Sequence, residues 1–356
     1  MPVSAIAAAA LLRSSARAYA SAALHELQRT APEAVAALPP TFAAPLDDLE
    51  VRILHLAESV GVDRPALLQQ SVAWYKVAFH HRGVPADYLE RSLWAIGRAL
   101  QGELPADAAA RATRHLEAAR AHLASVPVAL PSELSRTAPH GDLAMRFLLA
   151  ILERRGENAF ALLRSALRDG LSVEAIHDHV LTPVQREIGR MWLMGEVPIA
   201  DEHFGSSLVE RVLWLLQENL PLPPAGAPTV LLLGVGGNLH DLGLRVVAQR
   251  LQIAGFAVQM LGANMPASDM EWALADRPVD LIALSVTLAL HVRAAADMVV
   301  HVRLAQQKLE RPAPILVGGE VFRHVPDLHT RIGADAAAFD AAGAVQAARR
   351  LLGVEA

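Results

Sequence analysis

The stretch GVGGNLHDLGLRVV, residues 234–247, decides how this sequence is read. An apolar run, TVLLLGV (229–235), leads into it, and an amphipathic run, LGLRVVAQRLQIAG (242–255), follows. A short apolar run bounded by glycines reads as a buried strand, and the periodic stretch reads as a helix. His240 then stands on the loop at the carboxyl end of a strand, ringed by glycines. In an open parallel sheet, ligands bind at that end of the strands.

Working outward, four more short apolar runs follow: AVQMLGA (257–263), VDLIALSVT (279–287), APILVGG (313–319) and AAAFD (336–340). Helical stretches separate them. This alternation demands a parallel sheet with helices on both faces, and five strands suit the flavodoxin-like order. Ser285 and the pair Gly318–Gly319 then end two further strands beside His240. Upstream of residue 229 the pattern is helical throughout. Residues 141–218 form four helical segments with short connections, which implies a bundle. Residues 1–124 show helical spacing and no strand alternation. Proline clusters at 37–48, 125–141 and 219–228 mark edges, because proline favours extended or turn backbone. The expected architecture is an N-terminal all-α domain (1–135), a four-helix bundle (136–222) and a C-terminal Rossmann-like, flavodoxin-type α/β domain (223–356).

Composition narrows the chemistry. The chain has 356 residues and no cysteine, which excludes disulfides, zinc-thiolate sites, iron–sulfur clusters, thiol nucleophiles and thioether-linked cofactors. A metal ligand must come from His, Asp or Glu. The net charge is −5 and no basic block occurs, so a nucleic-acid surface is not expected. No apolar run is long enough to span a bilayer. At the N-terminus Arg13 and Arg17 follow the apolar run rather than precede it, the wrong order for a secretory signal. An ordinary alanine-rich helix and a cytoplasmic location are expected.

The residues NLHDLG (238–243), SVT (285–287) and GG (318–319) resemble the signature of cobalamin-binding domains: an acid-x-His-x-x-Gly loop, a Ser-x-Leu or Ser-x-Thr, then Gly-Gly. Here 41 residues separate Gly243 from Ser285, and 30 separate Thr287 from Gly318. The resemblance implies that His240 is the lower axial ligand of cobalt and that the detached benzimidazole tail runs between sheet and helix. Ser285 and Thr287 would line the tail, and Gly318 and Gly319 would let backbone approach it. Asn238 stands where the signature has an acid, with Asp241 on the other side of the histidine. An amide carbonyl could still accept the proton of the imidazole's second nitrogen.

The bundle adds a second resemblance. Trp192, nine residues, then Glu202 and His203 is similar to the cap of light-sensing adenosylcobalamin repressors. There the tryptophan covers the adenosyl group and the acid contacts its ribose. In those photoreceptors a histidine follows the tryptophan and takes the upper cobalt position after photolysis. Here that position is Leu193, which cannot ligate. Water, His203, His177 or His179 would have to serve instead.

Residues 1–124 lack the basic recognition helix of such repressors. This region resembles, more weakly, the helical half of photocobilins, which also bind biliverdin. In SVAWYKVAFHHRGV (71–84) the aromatic Trp74 and Tyr75, the imidazoles of His80 and His81, and Arg82 could hold a bilin non-covalently. The same residues also fit an amphipathic helix with core aromatics and a solvated polar face. Together these features imply a non-enzymatic light sensor. By that resemblance adenosylcobalamin would be its chromophore, and output would pass through homo-oligomer assembly or a downstream partner. The alternative is a corrinoid methyl-carrier of a methyltransferase system.

Overall fold

A computed structural model describes residues 3–42, 44–275 and 278–354. The chain divides into two compact units. The first comprises residues 1–128 with 286–297 and 320–333; the second comprises 129–285, 298–319 and 334–356.

Seven helices build most of the first unit: α1 (Ala5–Ser14), α2 (Ala16–Thr30), α3 (Pro32–Ala36), α4 (Pro45–Gly61), α5 (Pro65–His81), α6 (Tyr88–Glu103) and α7 (Ala106–Leu123). Sequence chemistry sets their ends. Ser4 caps α1 by accepting from the Ala7 N–H at 3.1 Å, and proline opens α3, α4 and α5, where its missing N–H costs nothing. The alanine-rich segment Ala5–Ser14 is helical. Alanines let helices close up: Ala8, Ala9, Ala20 and Ala23 are fully buried, beside Leu12, Leu49, Ile53 and Leu56. One charge pair lies inside this core. Arg52, only 1% exposed, pairs with Asp48, and the Tyr88 hydroxyl donates to the same carboxylate at 3.1 Å. The guanidinium also faces the rings of Tyr75 at 4.9 Å and Phe79 at 5.1 Å. Within the same unit, the Arg293 N–H donates to the buried Glu58 carboxylate at 2.7 Å, and Arg64 pairs with Asp327.

The second unit holds bundle and sheet. Its bundle contains α8 (Gly141–Leu152), α9 (Gly156–Arg168), α10 (Val173–Ile176), α11 (Thr182–Leu193) and α12 (Ile199–Gln217). The third expected helix is real but not uniform. A π turn, His177–Leu181, joins α10 to α11. Pro183 explains it: proline inside a helix has no N–H to give and crowds the carbonyl four residues back, and the wider turn relieves both faults. The segment leading in from residue 129 is pinned rather than loose, since the Glu133 N–H donates to Glu187 at 2.7 Å.

The sheet strands are β1 (Thr229–Val235), β2 (Ala257–Met265), β3 (Leu281–Ser285), β4 (Ile315–Gly318) and β5 (Ala336–Ala338). All pair in parallel, in the order β2-β1-β3-β4-β5, the flavodoxin-like arrangement. The helices that alternate with the strands in sequence are α13 (Leu242–Ile253), α14 (Met270–Ala275), α15 (Val292–Leu309), α16 (Glu320–His324), α17 (Leu328–Arg331) and α18 (Ala341–Leu352), of which α16, α17 and the start of α15 belong to the first unit. The buried strands are nearly continuous apolar runs, as a sheet covered on both faces requires. Helix α13 serves two cores at once. Leu244, Ala248 and Leu251 join the sheet core, whereas Leu242, Val246 and Ile253 join the bundle core. Both stripes recur at helical spacing. Among the described residues no helix is long and apolar enough to cross a membrane.

Candidate functional site

The strand ends are built from small residues. Register places Gly234 beside Ser285, Ser285 beside Gly318, and Gly318 beside Ala338. This row of β1, β3, β4 and β5 forms a floor on which no large side chain stands. Its glycines are needed locally: a Cβ on Gly318 would lie 3.2 Å from the Ala338 carbonyl oxygen, and one on Gly234 would lie 3.2 Å from the Ala263 Cα. Gly319 has φ +120°, a conformation L side chains rarely adopt.

Beyond β1 the chain turns back through Gly236 and Gly237 to Asn238, which is completely buried. Its Nδ2 donates to the Ser285 carbonyl at 3.0 Å, and its Oδ1 accepts, more weakly, from the His240 backbone N–H at 3.4 Å. Asn238 thus ties the β1 loop to the end of β3. An amide suits this role because it donates and accepts at once, which an ionised carboxylate cannot. The departure from the acid of the signature therefore has a physical account. It also corrects the expectation for this residue, since the amide carbonyl faces the His240 backbone rather than its ring. Asp241 is engaged elsewhere, accepting from Arg245 Nε at 3.0 Å. The His240 side chain is exposed, and among the described residues its ring makes no hydrogen bond. At Gly243 a Cβ would meet open space, so packing within the chain does not require that glycine. Thr287 lies half-buried in the loop after β3.

Asn264 was not anticipated. At the end of β2 its Oδ1 accepts from the Gly237 N–H at 2.7 Å, and its own N–H donates to the Asn238 carbonyl at 3.1 Å. Its φ is +56°, which asparagine tolerates better than most residues. The signal was an asparagine closing an apolar run before a proline, ANMP (263–266).

In the bundle, Trp192 is half-buried at the end of α11, and Leu193 is buried. Glu202 sits in the first turn of α12, where the helix dipole favours a carboxylate. It accepts from the Ser206 hydroxyl at 2.8 Å and contacts His203 Nδ1 at 2.8 Å, and Gln185 Nε2 donates to Ser206 at 2.6 Å. A carboxylate held on these two partners keeps lone pairs for another donor. His203 is exposed. His177, named above as a replacement ligand, is fully buried and bonded to Gln249 at 2.8 Å, which removes it as a ligand candidate. His179 packs its ring 5.7 Å from that of His140.

The N-terminal candidates are only partly gathered. Tyr75 and Arg82, with Phe42, Phe79 and Asp48, line a cavity of about 310 Å³ within the first unit. Trp74 and His80 are exposed, and His81 Nε2 lies 2.8 Å from the Val128 carbonyl.

Comparison with known proteins bears on the second unit. Residues 228–349 and 143–217 each match a family described as B12 binding domain. The chain is 31% identical over 189 residues to the HTH-type transcriptional repressor CarA of Myxococcus xanthus, covering 53% of this chain and 62% of the repressor. It therefore spans about three fifths of that relative. It is 26% identical over 180 residues to dimethylamine corrinoid protein 3 of Methanosarcina acetivorans, covering 83% of that protein. The structure of the monomethylamine corrinoid protein of Methanosarcina barkeri superposes with a TM-score of 0.51 over 59% of this chain and 99% of its own, at 21% identity, a likeness of fold. This is a cobalamin-binding-domain protein, related both to CarA-type repressors and to corrinoid proteins.

Proposed function

We propose that the second unit holds a corrinoid with its cobalt over the β1 loop, and that it works as a carrier or regulator rather than as an enzyme. The observation that carries this reading is the row Gly234, Ser285, Gly318, Ala338, with the exposed His240 ring beside it. The residues fit the group: a bare imidazole for the metal, a floor of small residues for the tail, and an open position at Gly243. When bound, the corrinoid supplies a cobalt–carbon bond that can be broken by transfer or by light. His240 would ligate the metal, Ser285 would hydrogen-bond the tail, and Trp192 would shield the opposite face from water.

The carrier reading is the better supported of two. Bundle and sheet together match most of the length of whole corrinoid proteins, so the second unit resembles a complete corrinoid module. The alkyl group carried would be methyl, and the partner a methyltransferase.

One observation favours the light-sensing reading. Trp192 and the held Glu202 carboxylate suit an adenine and a ribose, and the CarA relative matches 53% of this chain. In that reading adenosylcobalamin is the chromophore and its photolysis changes assembly. The aromatic cavity at Tyr75 and Arg82 supports biliverdin as a second, non-covalent chromophore. One experiment separates the readings. Methylcobalamin and adenosylcobalamin are offered in darkness, with and without biliverdin, and absorbance and size-exclusion profiles are followed under green light. Preference for the methyl form with no response to light leaves the carrier. A light-dependent change in assembly of the adenosyl form leaves the sensor. His240→Ala should abolish the spectrum of histidine-ligated cobalt in either case.

A further inference from the structure

The bundle-facing stripe of α13 reads Leu242, Val246, Gln249, Ile253, with one polar residue among three apolar ones. Gln249 is 4% exposed, and its partner His177, on the π turn, is fully buried. The bonds form a directed chain. Gln249 Nε2 donates to the Leu213 carbonyl at 2.7 Å and to Gln217 Oε1 at 3.2 Å. Its Oε1 must therefore accept, so His177 Nε2 carries the proton and donates at 2.8 Å. Gln217 donates onward to Gln252 at 2.8 Å, and Gln252 to the Pro221 carbonyl at 3.0 Å.

A buried polar pair in an apolar interface adds little net stability, because water is lost from both partners. It does penalise every other register, since a shifted helix leaves both groups unpaired. Helix α13 begins at Leu242, two residues after His240. Any slide or rotation of α13 is thus passed directly to the His240 loop.

We propose that His177 and Gln249 are positioning residues for His240: their hydrogen bond fixes the register of α13 against the bundle and so holds the loop that presents the imidazole. The proposal rests on the corrinoid reading for its purpose, but its structural content can be measured without any corrinoid.

The test uses the full chain as wild type, His177→Phe, Gln249→Leu, the double variant and His177→Gln. Three quantities are read: the urea midpoint, hydrogen exchange of amides 238–243 in cobalamin-free protein, and the release rate of hydroxocobalamin. His177→Phe strands the Gln249 carbonyl, whereas Gln249→Leu strands the His177 N–H and also takes the donor from Leu213 and Gln217, so both should lower the midpoint. In the double variant neither member of the pair is left stranded, so the midpoint should recover in part, short of wild type by the cost at Leu213 and Gln217. Exchange in 238–243 and release of hydroxocobalamin should stay about tenfold or more above wild type, the scale on which supporting residues act on metal sites. His177→Gln, which keeps a donor, should remain close to wild type in all three. The proposal is overturned if exchange and release recover together with the midpoint, or if His177→Gln behaves like His177→Phe. A wild type that takes up no hydroxocobalamin sinks the corrinoid reading, whereas the exchange measurement still decides the register role.

Discussion

Two buried polar clusters, one in each unit, are built in opposite ways. In the first, a full charge pair, Arg52 with Asp48, is enclosed by the rings of Tyr75, Phe79 and Tyr88. Among the described residues, two of the guanidinium nitrogens, Nε and Nη1, have no hydrogen-bond acceptor, and the guanidinium faces those rings instead. In the second, neutral amides and an imidazole pass donors and acceptors along a chain. Removing one partner from the first strands a charge in low dielectric. Removing one from the second strands only a dipole. The charged cluster is therefore a structural keystone, and the neutral chain is suited to setting position.

That contrast is broken most directly at Arg52. Arg52→Ala should cost about 3–5 kcal/mol, because the Asp48 carboxylate is left buried without its counter-charge. His177→Phe should cost about 1–3 kcal/mol, the desolvation of one unsatisfied neutral group. Urea unfolding followed by circular dichroism measures both. Equal costs would remove the distinction between the units.

Acid sharpens it next. Burial, with Arg52 and His291 nearby, pulls the His55 imidazole of the first unit down to about 4 despite its hydrogen bond to the Val51 carbonyl. The unfolded chain takes up this proton near pH 6.5 and the folded chain only near 4. Stability is thus highest above pH 6.5 and falls as pH drops toward 4. His55 contributes about 3 kcal/mol at most to that fall, less where water reaches the half-buried ring. Burial shifts His115 in the first unit and His177 in the second in the same direction. His55→Phe should therefore flatten the slope of urea midpoint against pH in part, and leave a remainder to those two histidines.

How much of this was legible follows from what fixes each feature. The strand-end row was readable because a parallel sheet converts sequence spacing into adjacency. Once Gly234, Ser285 and Gly318 end their strands, backbone pairing brings them together. The cavity at Tyr75 was not readable. Its walls come from α4, α5 and the loop before α4, and their meeting depends on side-chain packing that helical periodicity does not encode. Trp74, Tyr75, His80 and Arg82 are neighbours in sequence, yet successive residues on a helix point in different directions, so only Tyr75 and Arg82 reach the cavity. The π turn lay between. Thr182–Pro183 inside a helical pattern announces a break, and Gln249 in an apolar stripe announces a partner, but neither names the other.

Asn238 tests whether the loop depends on a donor or merely on a polar group. In Asn238→Asp the Ser285 carbonyl loses its donor and faces a buried carboxylate, at a cost of about 3 kcal/mol at neutral pH. The introduced carboxyl would be pushed upward, since only its protonated form can donate. Part of the loss should therefore return as pH falls through its raised value, against the acid trend set by His55. Thermal midpoints of wild type and variant at several pH values, read as their difference, isolate this term. A difference independent of pH would mean that donation to Ser285 is not what Asn238 supplies.

The smallest expected effect lies next to the register pair. Asp178, on the same π turn as His177, pairs with Arg250, the neighbour of Gln249, at 2.7 Å. Geometrically the two links are parallel, so either could be what holds α13. Their environments differ: the Asp178 side chain is 44% exposed, although Arg250 is only 14% exposed, whereas the His177–Gln249 pair is shut away from water. An ion pair with one partner open to water is partly screened and spends its attraction on ordering two side chains. Asp178→Asn should thus cost about 0.5 kcal/mol or less, shrink further in added salt, and leave exchange of amides 238–243 unchanged. A cost matching that of His177→Phe, with a salt-dependent rise in exchange, would mean that charge holds both units and that the neutral chain is incidental.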